Sequence, residues 1–67
     1  MRNSIKVERA RMNITQAQLA KMVNVSRQTI NAIELGKYNP STILALKIAR
    51  ALNTSVNDIF ILEESDI

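Results

Sequence analysis

The 67-residue chain has no Cys and no His, which excludes disulfide staples, thiolate chemistry and nearly every zinc site. It is 46% apolar with one Gly and one Pro, the profile of one small helical domain whose marginal core calls for efficient helix packing or oligomerisation. The net charge of +3 hides an asymmetry: residues 1–57 hold all nine Lys/Arg against Glu8 and Glu34, a balance of 9 − 2 = +7, and the other acids close the chain; such a basic body suits a polyanionic partner.

Five helical segments follow in chain order. Residues 4–12 (SIKVERARM) form the first, which stops before Asn13. Thr15 to Gln18 reads T-x-x-Q, the capping-box spacing in which each side chain satisfies the other residue's backbone N–H, and it predicts a helix over residues 16–22. The turn that follows, Val23 to Val25, is tight enough to need one residue at positive φ, and Asn24 is a type that tolerates it. Ser26 caps a third helix over residues 27–35, with Gly36 at its C′ position. Pro40 and Ser41 open the fourth, residues 42–52, whose Leu44, Ala45, Ile48, Ala49 and Leu52 form one apolar stripe closed by Asn53. Ser55-x-x-Asp58 caps a last short turn. Phe60 to Leu62 carries no helical stop signal and reads as extended; a strand there pairs either with the N-terminus or with a second copy, and the sequence does not choose. The expected fold is all-α, five helices with a short C-terminal β-strand in addition, residues 1–62 forming the domain and residues 63–67 a solvated acidic tail.

Residues 16–35 make one unit. Leu19, Val23, Val25, Ile30 and Ile33 are apolar, Ala20 is small where two steeply crossing helices meet, and Asn24 occupies the turn. These offsets resemble the helix-turn-helix. The resemblance runs over about residues 5–60: "TQAQLA", "VSRQTINAIELGKYNPS", "LALKIARALN" and "DIF" are similar to the Cro and lambdoid-phage-repressor type, the xenobiotic-response-element family, and most of all to its very short stand-alone regulators. The family implies a lambda-repressor-like fold and binding of double-stranded DNA, with residues 27–35 in the major groove.

At about 100° per residue, Ile30 and Ile33 set the inward side of that helix, so Gln28, Asn31, Ala32 and Leu35 face away with Arg27 on the flank. Exposed helices usually stay wet with Lys and Glu; this face uses Arg, Gln, Thr and Asn. Arg suits guanine O6/N7, Gln suits adenine N6/N7, and a small apolar group suits the thymine methyl. Arg27, Gln28 and Ala32 match the family's base-contacting positions. Asn31 is an additional candidate reader, and Thr29 is a candidate for a base or a phosphate. The helix start at Thr15 and Gln16 offers free N–H groups to an anion, and Gln16 matches a phosphate-contacting position of the family. Lys37, Tyr38 and Asn39 resemble its second phosphate clamp, although they also fit an ordinary polar loop with the Tyr38 ring on the core edge.

Two further features read as structure. The family pairs an Arg on helix one with a Glu near the end of helix three, which assigns Arg9 and Glu34 to an ion pair; Glu34 sits about 40° from Ile30 on the wheel, where a lone carboxylate is costly. Glu8 has no evident partner. Ile43, Leu46, Phe60, Ile61 and Leu62 give more apolar surface than a small monomer exposes, and a symmetric homodimer through Leu46, Phe60, Ile61 and Leu62 would bury it.

An enzyme is disfavoured: without His, Cys, a Gly-rich phosphate loop or an acid cluster in the body, general acid–base or nucleophilic chemistry has no residues to run on. No cofactor, metal or small-molecule ligand is expected. No signal peptide or membrane span is read, so the expected location is the cytoplasm, with the nucleoid. The expectation is a transcriptional regulator, a repressor by family inference; the rival is an antitoxin-like interaction module that grips a partner with the C-terminal segment "ILEESDI".

Overall fold

The computed structural model describes residues 1–67 and places five helices and one two-stranded sheet around a single core. In chain order the elements are β1 (Arg2–Asn3), α1 (Ile5–Met12), α2 (Gln16–Val23), α3 (Arg27–Glu34), α4 (Thr42–Ala51), α5 (Val56–Ile59) and β2 (Phe60–Ile61), followed by a 3-10 turn at Glu64–Asp66.

Local chemistry sets the helix ends. Thr15, Ser26, Ser41 and Ser55 each accept a hydrogen bond from the backbone N–H three residues on, and Thr15 with Gln18 closes a full capping box. At the other ends one device is used four times. Asn13, Asn24, Gly36 and Asn53 all adopt positive φ. The N–H of the next residue then reaches back across the last turn: Ile14 to the Arg9 carbonyl, Val25 to Ala20, Lys37 to Ala32 and Thr54 to Ala49, at 2.9–3.1 Å. With one glycine in the chain, asparagine fills three of the four left-handed positions, because its short polar side chain tolerates that conformation best among the rest. Ile14 and Val25, just past two of these caps, pack on the core, so each cap also supplies an apolar latch.

The core consists of Ile5, Leu19, Ala20, Val23, Ile30, Ile33, Leu44, Ile48, Ala49, Leu52, Ile59 and Phe60. Helix α2 packs against both α3 and α4, and Ala20 is buried with them, its small side chain admitting the crossing. The α4 stripe faces inward as its periodicity predicts, with Ala45 half-buried at its edge. No helix is long and apolar enough to cross a membrane.

At the chain ends the structure chooses between the pairings that the sequence left open, and it corrects the place of Phe60. The strand at Phe60–Ile61 pairs antiparallel with Arg2–Asn3 of the same chain, Arg2 opposite Ile61 and Asn3 opposite Phe60, and Ser4 N–H adds a bond to the Ile59 carbonyl at 2.9 Å. Phe60, expected among the exposed apolar residues of a dimer face, is instead 9% exposed and part of the monomer core; strand pairing turns its ring inward and Ile61 outward, as the two-residue period requires. Residues 63–67 stay largely exposed, as a solvated tail does, but Glu63 and Asp66 are anchored to the N-terminus. The Met1 ammonium lies 2.9 Å from Asp66 Oδ2 and 3.1 Å from Glu63 Oε1, and Glu63 N–H donates to Asp66 Oδ2 at 2.9 Å. These bonds raise the Met1 amine above its ordinary pKa, chiefly through Asp66, and lower Asp66, first through the Glu63 N–H and then through the amine. The radius of gyration, 10.9 Å, matches the roughly 11 Å of a fully compact chain of this length.

Candidate nucleic-acid interface

Helix α3 is held by its inner side and bare on its outer one. Ile30 and Ile33 are buried, whereas Arg27, Gln28, Asn31 and Leu35 are exposed and Thr29 and Ala32 are half-buried. Two stripes result. Gln28, Ala32 and Leu35, spaced i, i+4, i+7, lie outermost. Arg27, Asn31 and Glu34, at the same spacing, run along the flank toward the start of α2, where Gln16 touches all three. Thr29 is engaged locally: its hydroxyl lies 2.9 Å from Ser26 Oγ, and its N–H donates to the same oxygen at 3.1 Å. It therefore completes the helix cap and faces outward less than its neighbours.

The angle of α3 is fixed by an ion pair at its far end. Arg9 Nε donates to Glu34 Oε2 at 2.7 Å and Nη2 donates to Oε1 at 3.1 Å, a two-pronged fork. The third prong, Nη1, reaches the Ile14 carbonyl at 3.1 Å, so one guanidinium ties α1, the α1–α2 turn and α3 together. The side chains are 14% and 7% exposed, and the Glu34 carboxylate raises the Arg9 pKa above its ordinary value against the opposing effect of burial. A second tie was not legible in the sequence: Asn3 Nδ2 donates to the Ile33 carbonyl at 2.8 Å while its Oδ1 accepts from Ile5 N–H at 3.3 Å. The only signal was an Asn beside a helix start, the position of an ordinary cap. Glu8 finds a partner on its own helix, its Oε2 lying 3.6 Å from Arg11 Nε.

The candidate anion contacts flank this face. At the start of α2 the capping box occupies the Thr15 and Gln18 amides. The N–H groups of Gln16 and Ala17 remain in the first turn at the positive end of the helix dipole. Lys37, Tyr38 and Asn39 are exposed on the loop after α3, Tyr38 at 49%. Chemically, the surface offers a protruding helix with guanidinium, amide and methyl groups, bracketed by a helix N-terminus on one side and a cationic loop on the other.

Comparison with known proteins agrees with this arrangement. A model of the helix-turn-helix family matches residues 5–59. The chain is 54% identical over 67 residues to an uncharacterised HTH-type transcriptional regulator of Archaeoglobus fulgidus, covering 100% of this chain and 94% of the relative. It is 47% identical over 66 residues to the HTH-type transcriptional regulator YgzD of Bacillus subtilis, covering 98% of this chain and all of that protein. Among solved structures it resembles the DNA-binding domain (residues 1–76) of the P22 C2 repressor, with a TM-score of 0.75 and 34% identity over 79% of this chain and 70% of that one.

Proposed function

The chain belongs to the helix-turn-helix family of Cro and lambda-repressor type, and from that premise we propose that it is a sequence-specific double-stranded-DNA-binding regulator of transcription that acts as a repressor on a palindromic site. The observation that carries this reading is α3 itself: a rigidly mounted helix whose outward stripes hold Arg27, Gln28, Asn31 and Ala32, the side-chain types that read base edges in the major groove. In this reading Thr15, Gln16, Lys37, Tyr38 and Asn39 contact phosphates, setting register without reading sequence. The repressor role extends to this chain that of its structural neighbour, the DNA-binding domain of a repressor.

The proposal includes a homodimer. Ile43, Leu46, Ile61 and Leu62 are 43–69% exposed, and beside them runs an apolar groove of about 230 Å³ lined by Pro40, Ala45, Leu46, Val56 and Phe60. A two-fold pairing over this face buries these groups and sets two α3 helices about 34 Å apart, one turn of B-DNA. Selection from a random duplex pool, followed by titration of the winner at two salt concentrations, tests the whole reading. A palindromic winner with half-sites one helical turn apart, bound less tightly as salt rises, is the expected result. Enrichment of no sequence overturns it.

A further inference from the structure

The contacts of Gln16 form a relay that sets the direction of a neighbouring amide. Glu34, gripped by the Arg9 fork, presents Oε1 to Gln16 at 3.2 Å. A carboxylate only accepts, so Gln16 must turn its Nε2 toward Glu34 and its Oε1 away. Arg27 enforces the same choice from the other side: its Nη1, which only donates, lies 3.4 Å from Gln16 Oε1. With the Gln16 amide fixed twice over, its Nε2 meets Asn31 at 3.1 Å, and the Asn31 atom there has to be the acceptor Oδ1. Asn31 is thereby deprived of the free flip that lets an isolated asparagine offer either end of its amide. Its Nδ2 is turned away from α2, on an exposed residue one helical turn beyond Arg27.

We propose that Asn31 is a specificity-determining residue of fixed polarity, a hydrogen-bond donor to the base it meets, and that Gln16 is the positioning residue that fixes it. This rests on the reading of α3 as a major-groove helix. The base class follows from the groove code: a donor matches edges that carry acceptors, guanine O6/N7 best, then thymine O4 and adenine N7, and it selects against cytosine, which shows only its N4 donor. The polarity of Asn31 therefore depends on Gln16, Arg27, Glu34 and Arg9, drawn from three helices, whereas Gln28 and Ala32 read as independent side chains.

The test is the random-pool selection run with the full chain and three variants, read as base preference at each position. Asn31→Ala identifies the position that Asn31 reads, because preference flattens there alone. At that position the wild type is expected to disfavour cytosine by about fivefold or more, the lower end of what a good side-chain-to-base pair contributes. Gln16→Ala frees the amide to flip, so cytosine becomes tolerated at that one position while preferences elsewhere persist. Asn31→Asp, which only accepts, reverses the preference toward cytosine. A Gln16→Ala variant that loses affinity for all sequences alike, with the Asn31 position unchanged, overturns the relay, as does a wild type that favours cytosine there. An enriched sequence with no Asn31→Ala-sensitive position overturns Asn31 as a reader and leaves the DNA-binding reading standing; no enriched sequence at all overturns both.

Discussion

Arg9→Met is the sharpest probe of how α3 is mounted. The substitution keeps most of the stem volume and deletes the fork, so Glu34 loses bonds of 2.7 and 3.1 Å and the Ile14 carbonyl loses its bond of 3.1 Å. Glu34 is 7% exposed and becomes a nearly buried carboxylate whose one remaining side-chain donor is Gln16 Nε2. Removing one member of a buried pair costs about 3–5 kcal/mol, and the surviving Gln16 bond places this case near 3 kcal/mol. A domain of this length has about 3–10 kcal/mol in all, so the variant is left marginal, with a melting temperature lower by about 12–24 °C. Urea and thermal unfolding followed by circular dichroism measure it. The double variant Arg9→Met/Glu34→Leu is expected to recover most of the loss, since replacing both partners with apolar groups strands no charge. A loss under about 1 kcal/mol for Arg9→Met, the size of an exposed pair, or no recovery in the double variant, refutes the argument.

The other predictions concern DNA, assembly and pH. Gln28→Ala is expected to relax base preference at one position by about 1–3 kcal/mol, whereas Lys37→Ala weakens all duplexes alike and lowers the salt slope by about one; equal loss of specific and non-specific binding for Gln28→Ala removes it from the readers. Ile61→Asp places a charge on the proposed dimer face at a residue 43% exposed in the monomer, and sedimentation equilibrium should show the monomer mass. An unchanged dimer mass moves the interface elsewhere. The clasp between Met1 and Asp66 predicts a pH window. Asp66 is lowered in the fold, so its contribution is complete above its unfolded pKa and disappears as pH falls through the folded one. The Met1 amine is raised, so its contribution is complete below its unfolded pKa and disappears as pH rises through the folded one. The clasp is thus at full strength between about pH 4 and pH 8. The melting temperature of Asp66→Asn should approach that of the wild type at low pH, fall furthest below it inside the window, and regain only the amine's share at high pH, where the Glu63 N–H still bonds the carboxylate; parallel curves at all pH values count against the clasp.

What the sequence determined by itself was everything that depends on neighbours three or four residues apart. The Ser/Thr caps, the left-handed Asn24, Gly36 at C′, the α4 stripe and the outward face of α3 were all legible, because backbone geometry and helical periodicity act at that range. Asn13 and Asn53 were legible as stops, though not as left-handed residues. The Arg9–Glu34 pair was reached through family resemblance, since nothing local joins residues 25 positions apart. The tertiary structure alone decided the rest. It closed β1 on β2 within one chain, turned Phe60 into the core, folded the acidic end onto Met1, tied Asn3 to the Ile33 carbonyl and joined Gln16 to Arg27, Asn31 and Glu34. Each of these joins groups between 11 and 65 residues apart, and its geometry exists only once the helices have packed. A polar side chain in the sequence shows what it can bond, and only the fold chooses with which partner and by which end.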